Sequence, residues 1–576
     1  MIAIIFNNIQ PSSTTFNHLQ QHSTIFNNSA MWKKHPKALP FLFFSEMWER
    51  FGYYLMIGIF TFYLKDAADG FNMDEKDSAS LYGTFIALVF FTPFLGGLIA
   101  DRLLGYRRSI IMGGLLMGIG YCLMGIHNIT MLYISMSMVI VGNGFFKPNI
   151  STLLGNVYST PQYKAQKDEG YNIFYMGINI GAFICNFFGA ALYTTIGWGA
   201  AFMAAGVGMF IGVITFITGT KHYKAFDTRK PLQPGDMSLG RILLVVLLPC
   251  IFFGIIGWFI KGTQGYIFDS NSTDAFIFAC IPVLFFYTLL FIRSNKDEKP
   301  AMGAMLSIFA VVILFWAIFK QNGSALNTWA SRYTERHVEG STESVLTALK
   351  QTETVSYIRD SVVKMDNQFR KIKTDGQEVK ELNYPSYFQN IETAEIPADG
   401  GQIKTWAASL SQSINPFWVI VLTPLIVALF TWLRRKGKEP STPAKIAFGL
   451  LISALSVLVM VAAVKVGNNG TDKVSVWWLI GSYGVITIGE LFLSPMGLSL
   501  VSKLSPVRIT SLMMGGWFLS TSIGNKLSGI LASKWDEYDN KANYFGLNFI
   551  LLFGAAVFLF VLLRWLNRVM KEKGVN

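Results

Sequence analysis

The stretch Phe43–Tyr54, FFSEMWERFGYY, puts two glutamates and an arginine inside an apolar run that extends from Leu39 to Leu64. Counted from Glu46, the residues Glu49, Arg50, Tyr53 and Tyr54 follow at 3, 4, 7 and 8 positions, so all five share one face of a helix. Glu46 and Arg50 stand one helical turn apart, within pairing reach. A charge at the centre of a bilayer costs at least about 2.5–3.5 kcal/mol on insertion scales. Three such groups in one span therefore have to face a cavity in a helix bundle and pair with one another. A purely structural ion-pair cluster would satisfy the same requirement.

Composition sets the surroundings of that helix. The 576 residues are 52% hydrophobic and only 14% charged, where an average soluble domain carries about 25% charged residues. The deficit comes from repeated apolar stretches long enough to cross a hydrocarbon core of about 30 Å. They fall near 39–65, 78–100, 107–126, 129–155, 170–194, 199–219, 241–260, 273–293, 301–323, 416–434, 444–465, 476–500, 508–532 and 543–566. The fold class expected is thus an all-α polytopic membrane protein with about 14 transmembrane helices. The net charge of +13 does not indicate nucleic acid, because Lys and Arg gather in short turns between spans, as in Lys221–Lys230 and Arg434–Lys438. That asymmetry puts both termini in the cytoplasm and the acidic loop KDAADGFNMDEKD outside.

Cys122, Cys185, Cys250 and Cys280 lie in apolar segments without metal or disulfide spacing, and the six histidines fall in tails, loops or span ends. Any proton relay inside the membrane must then use carboxylates, and no metal or other cofactor is expected. Residues 1–30 lack a signal-peptide pattern and read as a disordered or spurious tail. Residues 331–412 are polar and too long for an ordinary loop, which suggests a small extracytoplasmic insert. Its stretch STESVLTALKQTETVSYIRDSVVKMDNQFRKI has apolar positions at near-helical spacing, so helix is expected there.

Between the second and third spans, GLIADRLLGYRRS presents Gly97, Asp101, Arg102, Gly105, Arg107 and Arg108. Physically this is a tight turn with one carboxylate able to pair with cations or cap a helix start. The pattern G-x-x-x-D-R-x-x-G-x-R-R resembles the loop motif of the major facilitator superfamily, which implies two six-helix bundles around a central cavity. ExxERFxYY in the opening stretch is similar to the signature of the proton-dependent oligopeptide transporter (POT/PTR) family. FYMGINIGAF (Phe174–Phe183), GNGFFKPNIS around Lys147, GELFLSPMGLS around Glu490, Asn415-Pro416 and GGWFLSTSIGN around Trp517 extend the resemblance over the chain apart from tail and insert. It implies an N-terminal bundle over 31–220, two extra helices within 221–298, and a C-terminal bundle over 299–576 interrupted by the insert.

The resemblance also implies roles. Glu46, Glu49, Arg50 and Lys147 would couple transport to protons, with Lys147 pairing with an ionised glutamate. A carboxylate that gains a proton loses its hold on neighbouring cations, which can release one helix from another. Asn179, Asn415 and Glu490 would bind the amino terminus of a substrate, and Tyr53, Tyr54 and Trp517 would line its pocket. The function implied is a functionally monomeric symporter in a bacterial inner membrane, importing di- and tripeptides by alternating access, with the lipid bilayer as its other partner and the proton as its coupling ion. Carriage of an amino acid, a peptide-like drug or nitrate on the same frame is the alternative. An enzyme seated in 331–412 is disfavoured, since that segment offers neither a Ser-His-Asp set nor metal-ligand spacing.

Two positions depart from the family pattern. Ile57 stands where many bacterial members carry an arginine, and Lys320 stands where they carry its glutamate partner. Either Lys320 snorkels outward near its span end, or it joins Lys147 in holding a substrate carboxylate. Phe90 replaces a common tyrosine, making one pocket wall less polar.

Overall fold

The computed structural model describes residues 35–163, 167–227, 238–261, 267–268, 270–366, 369–370, 372–374, 377–390, 396–505 and 510–573. The expected tail 1–30 lies outside them. The first six long helices are α1 (Ala38–Lys65), α2 (Glu75–Ile99), α3 (Tyr106–Met124), α4 (Ile129–Val157), α5 (Lys167–Thr195) and α6 (Trp198–Thr218). A hairpin of α7 (Leu248–Phe259) and α8 (Asn271–Ile292) follows, then α9 (Lys299–Phe319) and the short α10 (Ala325–Arg332). Beyond the insert come α12 (Ile414–Arg435), α13 (Thr442–Val466), α14 (Val476–Leu504), α15 (Thr510–Ser533) and α16 (Lys541–Glu572), the insert itself holding α11 (Gly340–Ala348).

Short polar residues start these helices where the sequence places them. Asn128 Oδ1 accepts from the backbone N–H of Thr130 and Met131 at 3.0 and 3.1 Å to open α4, and Asp74 Oδ1 accepts from Asp77 N–H at 2.8 Å to open α2. Ten of the described helices are long and apolar enough to cross a membrane on their own composition, fewer than the fourteen apolar runs expected. The helix α1 is among those that fall short. It carries Glu46, Glu49 and Arg50 mid-length, so its place in a bilayer depends on the bundle that covers it.

Buried apolar side chains form two large cores. One is built from α1 to α6, and the other from α9, α10 and α13 to α16, with Ala79 of α2 reaching into it. Glycines set how closely helices approach. A Cβ on Gly96 of α2 would collide with the backbone of Gly144 in α4, and one on Gly83 would come within 2.6 Å of Gly529 Cα in α15. The second contact joins the two halves.

The insert differs from the helix expected of it. Among the described residues its α-helix is confined to Gly340–Ala348, with tighter helical turns at Ser386–Asn390 and Ala408–Ser413. Between them run antiparallel pairs: β1 (Thr352–Ser356) with β6 (Gln402–Trp406), β2 (Asp360–Val363) with β5 (Lys380–Asn383), and β3 (Lys373–Thr374) with β4 (Gln377–Glu378). The residues Thr352, Thr354, Val355, Val362 and Val363 are β-branched, and branching at Cβ favours a pleated strand over a helix. Spacing alone had missed that preference.

Gly96→Ala is expected to lower the melting temperature of the detergent-purified protein by several degrees, as about 1–3 kcal/mol of overpacking requires. An unchanged melting curve in scanning fluorimetry would show that α2 and α4 are not in backbone contact.

Candidate functional site

The site is built on α1. Arg50 Nε donates to Glu46 Oε1 at 2.8 Å and lies 2.7 Å from Glu49 Oε2, and the three side chains are 4%, 3% and 0% exposed. Asn143 of α4 donates to Glu49 Oε1 at 3.4 Å, while Glu46 Oε2 meets no donor among the described residues. The packing that seals this cluster explains the glycines of FYMGINIGAF. A Cβ on Gly181 would strike Met47 O and approach Arg50 Cβ at 3.3 Å, and one on Gly177 would meet the Phe43 ring at 2.9 Å. Glycine at both positions lets α5 lie against α1 beside the charges.

Lys147 of α4 does not rest on a glutamate in this conformation. Its Nζ sits 3.8 Å from the centre of the Phe90 ring in α2, and no carboxylate among the described residues forms an ion pair with it. Arg50 already takes an oxygen of each glutamate, leaving the ammonium to the negative face of an aromatic ring. Lys320, at the end of α9, approaches the same ring. It is 7% exposed, with Nζ 5.4 Å from Phe90, 5.5 Å from Trp316 and 5.8 Å from Phe319. Lys320 therefore does not snorkel outward. Two ammonium groups from opposite halves flank one phenyl ring, and Ile57 is buried in the apolar core of the first half.

On the C-terminal side, Asn415 of α12 donates to Glu490 Oε2 of α14 at 3.1 Å and to Thr487 Oγ1 at 2.9 Å. Asn179 donates to Tyr175 O within α5 at 2.9 Å. Tyr53 and Tyr54 meet edge to face at 5.4 Å, with the Arg50 guanidinium 5.7 Å from the Tyr53 ring. Tyr54 is half-buried, whereas Tyr53 and Trp517 are 1% and 4% exposed, Trp517 packing on Gly497 and edge to face with Phe309. Two of the three expected wall residues, Tyr53 and Trp517, are thus buried in the packed interior in this conformation. Asn143 and Thr487 were missed by sequence reasoning, although each sits one helical turn before Lys147 or Glu490 and was legible from that spacing.

The loop motif is a turn of π-helix, Ala100–Leu104, ending at Gly105 with φ +80°. The cap of α3 comes from a residue outside the motif: Asp227 Oδ1 accepts from Tyr106 and Arg107 N–H at 2.7 and 3.3 Å. The side chains of Asp101 and Arg102 lie outside the described residues. Among those residues, no three His, Cys, Asp or Glu side chains gather as a metal site.

Hydrogen bonds between the halves cluster between the centre and the face that carries the insert. Thr328 Oγ1 of α10 donates to Glu75 Oε1 of α2 at 2.7 Å, and Arg332 Nη2 lies 3.5 Å from Glu75 Oε2. Lys65 Nζ of α1 donates to Thr328 Oγ1 at 3.0 Å, and Thr61 Oγ1 to Gly323 O at 3.1 Å. Lys526 of α15 bonds Thr84 of α2 at 2.7 Å, and Ser522 bonds Ala87 O at 2.6 Å.

Comparison with known proteins places this arrangement. The sequence profile of the POT family matches residues 107–352 and 401–547. The dipeptide and tripeptide permease A of Salmonella typhimurium is 27% identical over 502 residues, covering 87% of this chain and 84% of its own. The di-/tripeptide transporter of Lactococcus lactis is also 27% identical over 502 residues, covering 86% and 88%. A crystal structure of a peptide transporter POT in complex with sulfate superposes with a TM-score of 0.70 at 26% identity, covering 93% of this chain and 96% of that one.

Removing the cation from the cluster strands two buried carboxylates. Arg50→Met is expected to cost about 3–5 kcal/mol, the scale for breaking a buried ion pair, and to reduce sharply the monodisperse fraction in size-exclusion chromatography. Wild-type yield and melting temperature in this variant would show that the cluster is not paired as described.

Proposed function

The chain belongs to the POT family, and from that premise we propose that it is a proton-coupled symporter importing di- and tripeptides across a bacterial inner membrane, with both termini cytoplasmic and the monomer as working unit. The observation that carries the reading is the division of the buried charges into a paired and an unpaired set. Glu46, Glu49 and Arg50 pair with one another on α1. Glu490, Lys147 and Lys320 form no ion pair among the described residues, Glu490 resting on Asn415 and the two ammonium groups on the Phe90 ring.

The chemistry follows from that division. A peptide ammonium restores a counter-charge to Glu490, with Asn415 and Asn179 supplying amide oxygens. The peptide carboxylate takes hydrogen bonds from Lys147 and Lys320, which now have only a ring between them. Protonation of a glutamate on α1 frees Arg50 from one partner, so proton and peptide together change which contacts hold the halves. The two glutamates share one guanidinium, so a change at either alters what holds the other. Alternating access is then a rocking of two bundles about the centre. A simple anion fits worse, because it would leave Glu490 without a partner. The bonds between Glu75, Thr328 and Arg332 correspond to a carrier shut on the insert-bearing face.

Reconstituted into liposomes, the protein is expected to accumulate labelled dialanine under an inward proton gradient, with competition by tripeptides and none by nitrate. Failure of the gradient to stimulate uptake, or competition by nitrate equal to that by peptide, would overturn the reading. Lys320→Ala is expected to raise the apparent KM for a dipeptide about tenfold, since a hydrogen bond to a charged group is worth about 1.5–3 kcal/mol. An unchanged KM would remove Lys320 from the carboxylate site.

A further inference from the structure

The family profile passes over residues 353–400, so the middle of the insert, including Glu353, is outside what the family's shared pattern describes. The insert belongs by chain connection to the C-terminal half, leaving from α10 and returning to α12. It is fastened there at three places. Glu335 N–H donates to Val474 O at 2.8 Å, Asn390 Nδ2 donates to Gly470 O at 3.2 Å, and Arg370 Nη1 donates to Asp539 Oδ1 at 2.8 Å.

Its other edge crosses to the N-terminal half. Gln351 Nε2 donates to Phe187 O of α5 at 2.9 Å, and Tyr193 OH of α5 donates to Glu353 Oε1 at 2.6 Å. Glu353 is held for that contact by Arg336, whose Nη1 lies 2.8 Å from Glu353 Oε2 and donates to Trp406 O at 2.7 Å. Arg336 is buried and also lies 5.6 Å from the Tyr387 ring. Tyr193 is fixed from its own side, stacked on Trp198 at 4.5 Å, and Trp198 Nε1 donates to Asp66 Oδ2 at 2.6 Å. A rigid donor on one half thus meets a rigid carboxylate on the other.

We propose that the insert is a latch: carried by the C-terminal half, it clasps the end of α5 through Gln351 and Glu353 and favours the conformation closed on its own face. This rests on the alternating-access reading above. Opening that face moves α5 away from α10 and α12, and both hydrogen bonds must break before it can proceed. The Tyr193–Glu353 bond has an ionised acceptor, and such bonds shift an equilibrium by roughly tenfold or more. The latch would make opening slower and rarer than in a carrier without the insert, without touching the peptide or the proton.

The test uses the full chain in liposomes without substrate. Its four native cysteines are replaced by alanine, and spin labels are attached at cysteines introduced for Asp69 and Thr471. Double electron–electron resonance on the parent should show mainly the short distance. Tyr193→Phe, which removes the hydroxyl that donates to Glu353 and accepts from Ser409 at 3.4 Å, should enlarge the long-distance population at least fivefold, and Glu353→Ala should do the same. Unchanged distributions in both variants overturn the latch. A second measurement guards against a variant that misfolds: cysteines at 193 and 353 joined by a short reducible methanethiosulfonate linker should cut peptide uptake at least tenfold, restored by reductant. Uptake that persists through the link shows that this contact need not open. The distance readout needs no transported peptide, so it stands or falls separately from the substrate assignment.

Discussion

A guanidinium shared by two carboxylates in the middle of a membrane helix is the constraint on which the rest of this structure turns. Arg50 contacts Glu46 and Glu49 within 2.8 Å, and none of the three is accessible. Such charges are tolerated only where protein, not lipid, surrounds them. The neighbours comply: Gly177 and Gly181 let α5 seal the cluster, and Asn143 supplies a donor from α4. The first bundle is assembled around a group that would not survive outside it.

From that cluster outward, the charges arrange themselves by what is left to pair with. Because Arg50 takes both glutamates, Lys147 turns to Phe90, and Lys320 comes to the same ring from the other half. Among the described residues Glu490 is hydrogen-bonded by Asn415, which also bonds Thr487, and forms no ion pair, the Lys320 ammonium standing farther off. In the reading adopted here, a zwitterion is the molecule that completes this set. Its carboxylate lies between two lysines and its ammonium at the lone acid, so both ends gain a counter-charge on binding. The departures at Ile57 and Lys320 then leave an apolar side chain in the core and a cation beside Phe90, while Glu46, Glu49 and Arg50 stay paired.

Much of this was legible in the sequence, for reasons that can be named. Helical periodicity placed Glu46, Glu49 and Arg50 on one face, and the cost of burying charge demanded that they pair. The capping residues Asp74 and Asn128 were also there to be read, but the span limits were drawn from the apolar runs alone. The strands of the insert were not read, since Thr and Val at ambiguous spacing satisfy both periods until propensity is weighed. The Asp227 cap of α3 was invisible because its partners lie more than a hundred residues away. The seat of Lys147 on Phe90 was hidden for a different reason: it depends on which cation reaches the glutamates first, a competition that only the packed bundle decides. The contact between Tyr193 and Glu353 joins residues 160 apart and has no local signature either.

The central claim is that the α1 cluster couples the carrier to protons while the peptide is held elsewhere. Comparing two modes of transport by Glu49→Gln in liposomes tests it most directly. Exchange of labelled for unlabelled dipeptide, which needs no net proton movement, should persist at a rate near that of the parent, and accumulation driven by a proton gradient should be lost. Loss of exchange together with accumulation, or retention of both, would contradict the assignment of that carboxylate to proton coupling.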